Sequence, residues 1–414
     1  MGKTPDTLDI VDEILRFNAG RIEERLTLKY ELMSQNVFAY FRGTDHLYAR
    51  RWPRVRPADL GPSILQCGDL HLENFGAYET DDNDFRYDVN DFDEAIVAPC
   101  SLDLVRLTAS ILLAGEVWDV AASKSSGVAL DCLAAYRDAV VESAASGKIG
   151  EVAPGKGVGP IWDLLGKTAS GDRVTMLDHY TERDKNGDRR IARGDEKHPS
   201  IGDKKADLVR EALREFAKTT SNPKAYQVLD VTGRIAGVGS LGLRRYTVLV
   251  AGGGTPETNQ LLDMKEEIAS SVLAATDCEQ PFYGGNEAVR VVRAQCQLQS
   301  KPTAGLATLR MGSRDYRLRV MVPDENRSKI ERLHKKPEKL RDAATVVGQL
   351  AAWSQLRGCR EHGDEARQKL AAWASKSVDE VLAAALRCLD VTSCDFETYK
   401  KAFDNGRFGK PADK

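Results

Sequence analysis

The sequence predicts an α+β protein of two lobes, with a small antiparallel sheet lobe set between helical segments that together form a larger lobe. Two observations predict it. Residues 226–231, 234–238, 246–250 and 261–265 are short runs of β-type residues separated by glycine-rich turns, and on either side of this stretch apolar positions recur at helical spacing. The expected organisation is 1–225 as a helical lobe with an acid-bearing loop, 226–325 as the small lobe, and 326–414 as helices completing the large lobe.

Residues 5–52 read as helical, with Ile10, Ile14 and Phe17 on one face and Leu28, Leu32 and Met33 on another. Phe38-Ala39-Tyr40-Phe41-Arg42-Gly43 is an aromatic run closed by an arginine and a glycine, and Pro53, Pro57 and Pro62 then break the helical pattern. Residues 64–67 enter a short strand or loop; 86–90 is its expected partner strand, with the acidic 79–84 stretch as the turn between them. Residues 101–117 and 129–145 are helical, and Ser101 and Asp103 stand where an acceptor caps free amides. The 146–204 stretch, rich in Gly, Lys, Asp and Arg, is expected as loops with a short helix, inserted toward the substrate; 205–218 is a helix. In the small lobe Gly252-Gly253-Gly254 makes a hairpin, 287–299 is a helix, and 316–322 is a strand ending at Pro323. Helices are expected at 343–356, 364–374, 378–388 and 396–403.

At 414 residues the chain can bury a large core, and 42% hydrophobic with 29% charged residues is ordinary for a globular protein. A net charge of −3 gives no reason to expect nucleic acid or an anionic membrane as partner. The only compact basic run, Arg50, Arg51, Arg54 and Arg56, reads as a solvated or anion-contacting face. Residues 1–12 are polar and acidic, so no signal peptide is expected, and the 109–117 apolar run is too short to cross a bilayer. Eight scattered cysteines without a CxxC pair fit reduced thiols and a cytoplasmic location.

Two acidic motifs carry chemistry: Gln66-Cys67-Gly68-Asp69-Leu70-His71-Leu72-Glu73-Asn74-Phe75 and Asn90-Asp91-Phe92-Asp93. Phosphoryl transfer needs positioned phosphates, magnesium against developing charge, and a carboxylate on the attacking hydroxyl. Asp69 and Asn74 can supply that carboxylate and one hard oxygen ligand from a single tight loop; Asp91 or Asp93 can supply the charged oxygen that magnesium prefers. Gly68 lets the backbone turn closely and Gly76 closes the loop. Plain surface turns also use Asp and Asn, but the apolar frame of Leu70, Leu72, Phe75 and Phe92 argues for a built site.

The string Gly237-Val238-Gly239-Ser240-Leu241-Gly242 is weak evidence alone. A dinucleotide-binding loop opens into a helix, whereas 243–250 continues as a strand and is followed by an apolar strand carrying Lys265. That is the order of a kinase nucleotide lobe. Amides at Gly237, Gly239, Ser240 and Gly242 can cover phosphates, and Lys265 can hold the α and β oxygens. Glu287, the acid of the 286–299 helix, is the expected partner of Lys265, with Glu266 and Glu267 competing. The acidic motifs precede the glycine turn, the reverse of an ordinary kinase, so a circularly permuted kinase-like fold is expected, with the 343–356 helix beside Asp69.

These motifs resemble a bacterial domain-of-unknown-function family whose members carry CGDxHxxNFG and NDFDE segments, here Cys67 to Gly76 and Asn90 to Glu94. The resemblance extends to Phe41-Arg42-Gly43, Asp103-Leu104-Val105-Arg106-Leu107, the glycine turn and Lys265-Glu266. It is weakest over 146–225 and toward the C-terminus. That family looks related to the protein-kinase-like and aminoglycoside-phosphotransferase superfamily. The resemblance implies Asp69 as base, Asn74 and Asp91 as metal ligands and Lys265 as the nucleotide lysine; Asp93 is expected behind the metal or on a second ion, and Arg42 as structural support. Asp103 looks like the helix aspartate that braces the catalytic loop, with a simple N-cap as the alternative. Three positions depart from the patterns: Cys67 where kinases carry histidine, Arg293 where an acid is expected, and Trp353-Ser354 near the family's usual histidine.

The expected function is ATP- and Mg²⁺-dependent transfer of the γ-phosphoryl group to a hydroxyl of a small molecule. The alternatives are a protein kinase, AMP transfer with the nucleotide reversed, and a catalytically silent nucleotide-binding scaffold. The intact set of Asp69, Asn74, Asp91 and Lys265 argues against silence. The sequence carries no sign of oligomeric state.

Overall fold

In the computed structural model of the chain, residues 8–193, 196–276, 278, 284–323, 330–359 and 363–409 are described. Residues 5–7 of the expected helical stretch and the first residues of the polar N-terminal segment lie outside them.

The sheet is antiparallel and five-stranded, in the spatial order Ala307–Met311, Arg314–Val320, Gln260–Glu267, Arg245–Val250, Val228–Gly233. Side chains alternate faces along a strand, and the register puts Arg317 and Arg245 on either side of Lys265, and Arg319 and Thr247 on either side of Asp263. One face of the sheet is therefore charged. The other carries Tyr246, Val248, Leu262, Met264, Tyr316 and Leu318, which pack on Val209 and Leu213. Those two residues belong to the helix Asp203–Ala217, whose solvent side is laced by i,i+3 pairs such as Arg214–Glu211. The expected strand at 234–238 is a turn instead, joined to the ladder only where Arg234 N–H meets Arg245 O. The strand Ala307–Met311 was not anticipated.

The second core is helical. Ser101–Val117 is buried on every side through its first fifteen residues, Ser101 to Gly115, as a central helix must be. It packs against Ala122–Ser146, Val37–Gly43 and the 42-residue helix Gly363–Asp404. That last helix replaces three expected ones: no glycine or proline after Gly363 interrupts it, so its polar stretches simply face solvent. Pro337–Gly358 lies along Ala122–Ser146 and ends against the strand Ser63–Gln66, where a Cβ on Gly358 would stand 2.0 Å from Leu65 O.

Other boundaries also differ. The N-terminal stretch is four helices, Ile10–Asn18, Glu23–Ser34, Val37–Gly43 and Asp45–Val55; Pro53 lies inside the last, which stops only before Arg56-Pro57. Ser63–Gln66 pairs with Ile96–Pro99 rather than with 86–90, because Phe75–Glu79 and Phe85–Val89 form a hairpin of their own across the acidic turn. The 146–204 stretch holds the helices Pro160–Ala169 and Arg173–Tyr180 and a hairpin of Thr181–Arg183 with Arg189–Ile191, and none of its described residues lines the cleft that Asp69 and Lys265 border. No described helix is long and apolar enough to cross a membrane, and every described cysteine is free.

Candidate active site

The acid-bearing loop leaves Ser63–Gln66 at Cys67 and is fixed from below by Asp103. Its Oδ2 accepts from Cys67 N (3.0 Å), Gly68 N (3.4 Å) and Cys67 Sγ (3.3 Å), so Asp103 braces the loop and makes no cap. Gly68 has φ +86°, and a Cβ there would lie 2.0 Å from Glu94 O. Only glycine allows this approach, and through it the two acidic motifs touch. Asn74 Nδ2 donates to Asp69 O at 2.5 Å, closing the loop, and Asn90 N donates to Asn74 O at 2.8 Å.

Asp69 is held by a residue the sequence did not single out. Arg106, one turn beyond Asp103 on the same helix and fully buried, donates from Nε to Asp69 Oδ1 at 2.5 Å and lies 3.0 Å from Asp45 Oδ1. Its Nη2 reaches Phe41 O at 3.1 Å, and its guanidinium stacks 4.1 Å from the Phe41 ring centroid. The Asp69 side chain keeps 22% of its surface open to the cleft. Burial still raises its carboxyl above the usual range, with Arg106 pulling it back. Oδ1 is engaged by Arg106, and the residue lines the cleft.

Above this loop stands the charged face of the sheet. Lys265 Nζ is paired with Asp93 Oδ2, Arg245 makes two bonds to Asp263 (2.7 and 2.6 Å), and Arg317 Nε bonds Glu267 (2.9 Å). Arg319 Nη1 reaches Asn90 O and Oδ1 at 3.2 and 3.1 Å. Glu287 does not pair with Lys265. As the first residue of its helix it bonds Arg290 at i+3, and Arg290 donates to Asp93 O, Ala95 O and Ile268 O. The acid beside the lysine is therefore Asp93, held in place by the helix that was expected to supply one. Glu266 turns outward to Arg244 and Arg314, and Glu267 to Arg317.

The glycine turn lies over Arg42 and Gly43: a Cβ on Gly239 would be 3.3 Å from Arg42 O. Its carbonyls face the N-terminal helices. Arg21 and Lys29 donate to Gly239 O, Arg21 to Leu241 O, and Ile22 N to Gly242 O. Gly237, Gly239 and Ser240 line the cleft; Gly242 does not, and its φ of +91° against the Arg21 side chain gives it a structural place. Arg42 lines the cleft and pairs with Glu73 at 2.7 Å.

One cleft, about 1320 Å³ of atom-free space with its mouth included, is thus bordered by Asp69, Asn74, Asp91, Asp93, Lys265 and the turn. Among the described residues no three His, Cys, Asp or Glu side chains are gathered as a metal site. Magnesium needs fewer protein donors, since it keeps waters and shares phosphate oxygens. Asp91 Oδ1 and Asp93 Oδ1 are buried without a hydrogen-bond partner, and Asn74, its nitrogen committed, has an oxygen to offer. Burial raises the Asp91 carboxyl, but Lys265, then Arg317, Arg319 and Arg245, outweigh it and hold it below the usual range. A carboxylate oxygen without a hydrogen-bond partner, in a cleft that Asn74 also lines, fits a hard divalent cation.

The residues not anticipated are Arg106, Asp45 and the arginines at 234, 245, 317 and 319. A period-2 signal was present for Arg317 and Arg319: Arg317-Leu318-Arg319 and Asp263-Met264-Lys265 alternate charge with apolar residues. Arg106 stands within the Asp103 to Leu107 segment of the resemblance, where only Asp103 was given a role.

Residues 21–402 match the model of a family described as "Uncharacterized protein conserved in bacteria (DUF2252)", and the chain belongs to that family. No curated protein and no solved structure matches it.

Proposed function

We propose that this member of the family is a magnesium- and ATP-dependent transferase that moves a phosphorus-bearing group to a hydroxyl of a small molecule, on a circularly permuted, two-lobed kinase-like fold. The observation that carries the reading is the meeting of Asp69, Asn74, Asp91, Lys265 and the glycine turn in one cleft, from segments far apart in the chain. Support for permutation comes from the end of Pro337–Gly358, which abuts Leu65 at the entrance to the Asp69 loop. In an unpermuted chain such a helix would lead directly into that loop.

Asp69 Oδ2 orients the attacking hydroxyl and takes its proton while Arg106 fixes the carboxylate's plane. Asp91 and Asn74 would hold magnesium, which supplies counter-charge to the phosphates. Lys265, positioned by Asp93, reaches phosphate oxygens, and the turn's amides add neutral donors. Phe17, Arg21 and Arg42 line the cleft and Phe17 and Arg21 sit on the segment that grips the turn, which favours a small acceptor over a protein side chain.

Calorimetric titration with ATP tests this. Asp91→Ala should lose at least about tenfold of its Mg²⁺-dependent affinity, and Lys265→Ala should weaken both binding and turnover. Retention of that affinity in Asp91→Ala with its loss in Asp93→Ala or Asp88→Ala would move the metal to that residue. Failure of the unaltered protein to bind ATP would contradict the reading.

A further inference from the structure

We propose that the nucleotide lies tail-inward, its β- and γ-phosphates against the charged face of the sheet and its α-phosphorus at Asp69, so that the group transferred is the nucleoside monophosphate. The proposal rests on the nucleotide-transferase reading above and decides which phosphorus is attacked.

The evidence is what lines the sheet end of the cleft. A purine is flat and uncharged and needs apolar walls. Two residues before Lys265 on the same face, where such a wall would begin, stands Asp263, buried and gripped by Arg245. Its other neighbours are Arg319 at 3.7 Å and Arg234 at 3.7 Å. Arg319 is 7% exposed, its Nε has no hydrogen-bond partner, and it lines the cleft. Burial, then the neighbouring Arg317, lowers its pKa to about 9, against the pull of Asp263. A base placed here would desolvate these groups and return nothing. A phosphate tail returns charge-assisted hydrogen bonds, bidentate where it meets a guanidinium.

At the turn Val238 offers apolar surface to the cleft, Phe17 stacks on His46 at 4.0 Å with the Arg21 guanidinium 4.6 Å from its ring, and Arg42 and Gly43 lie beneath the turn. The amides of Val238, Gly239 and Ser240 make no backbone hydrogen bond, and with the carbonyls of Gly239, Leu241 and Gly242 turned to Arg21, Lys29 and Ile22 they are available to the α-phosphate. In this orientation the acceptor oxygen attacks the α-phosphorus, the bond from that phosphorus to the α,β-bridging oxygen breaks, and pyrophosphate leaves with the electron pair. The hydroxyl proton passes to Asp69. One hydroxyl compound and one nucleoside triphosphate give one nucleotidyl ester and one pyrophosphate.

Binding to the full chain with Mg²⁺ separates the orientations. N6-benzyl-ATP should bind within about threefold of ATP, because the base points outward, whereas ATP esterified on the γ-phosphate with a bulky group should lose about tenfold or more. Arg319→Met should weaken ATP by about tenfold and leave AMP unchanged, since AMP has no tail to reach the sheet. The analogue comparison needs no variant to fold. Loss of N6-benzyl-ATP with retention of the γ-ester, or an equal loss of AMP and ATP in Arg319→Met, would overturn the orientation while leaving the transferase reading standing. Absence of ATP binding altogether would overturn that reading instead.

Discussion

Asp69→Asn should reduce transfer by about 10²- to 10⁴-fold, while ATP affinity stays within about twofold of the unaltered protein. The substitution keeps the shape of the side chain and the backbone carbonyl that Asn74 binds, and Arg106 retains Asp45. What is lost is the proton acceptor and its negative charge at Oδ2, which matter only as the hydroxyl attacks. Single-turnover kinetics beside calorimetry separates the two quantities. A comparable fall in affinity would mean that Asp69 serves binding and the roles are wrongly assigned.

The largest effect on stability is expected from Arg106→Met. A guanidinium with no exposed surface lies between Asp45 and Asp69, and its removal leaves the buried Asp45 and the partly buried Asp69 without that cation. Breaking a buried pair from one side is destabilising by about 3–5 kcal/mol, and lost stacking on Phe41 and Tyr48 adds to it. The deficit should shrink in acid. Burial already raises both carboxyls in the intact protein; without Arg106 they rise further, so the folded variant binds more protons than the unfolded chain and loses stability as pH increases. Urea denaturation at two pH values reads this directly. A loss under about 1 kcal/mol, or one that grows in acid, would show that Arg106 is not the counter-ion of this pair.

Much of this was legible in the chain because the chemistry is local. The Asp69 loop carries its own closure in Gly68 and Asn74, and the turn at 237–242 lies between strands whose β-type residues are continuous. Asp103 could be placed as a brace or a cap; only the fold brings its oxygen to Cys67 and Gly68. The partner of Lys265 was not legible, because a salt bridge across the cleft has no spacing rule. Glu287 was expected from a helix position, yet its own Arg290 lies one turn away and takes it. Arg106 and Asp45 were hidden for the same reason. The single C-terminal helix was hidden differently: polar residues inside an amphipathic helix resemble loops until the partner face, here Ser101–Val117 and Ala122–Ser146, is known.

The most direct test is incubation of the protein with Mg²⁺ and ATP labelled at the α- or the γ-phosphorus, in parallel, against a pool of small hydroxyl compounds. The account predicts that the α label passes to a small acceptor with release of pyrophosphate, and that Asp69→Asn abolishes it. Transfer of the γ label alone would contradict the tail-inward orientation, and transfer of neither label would contradict the central claim that this cleft moves a phosphorus-bearing group from ATP to a hydroxyl.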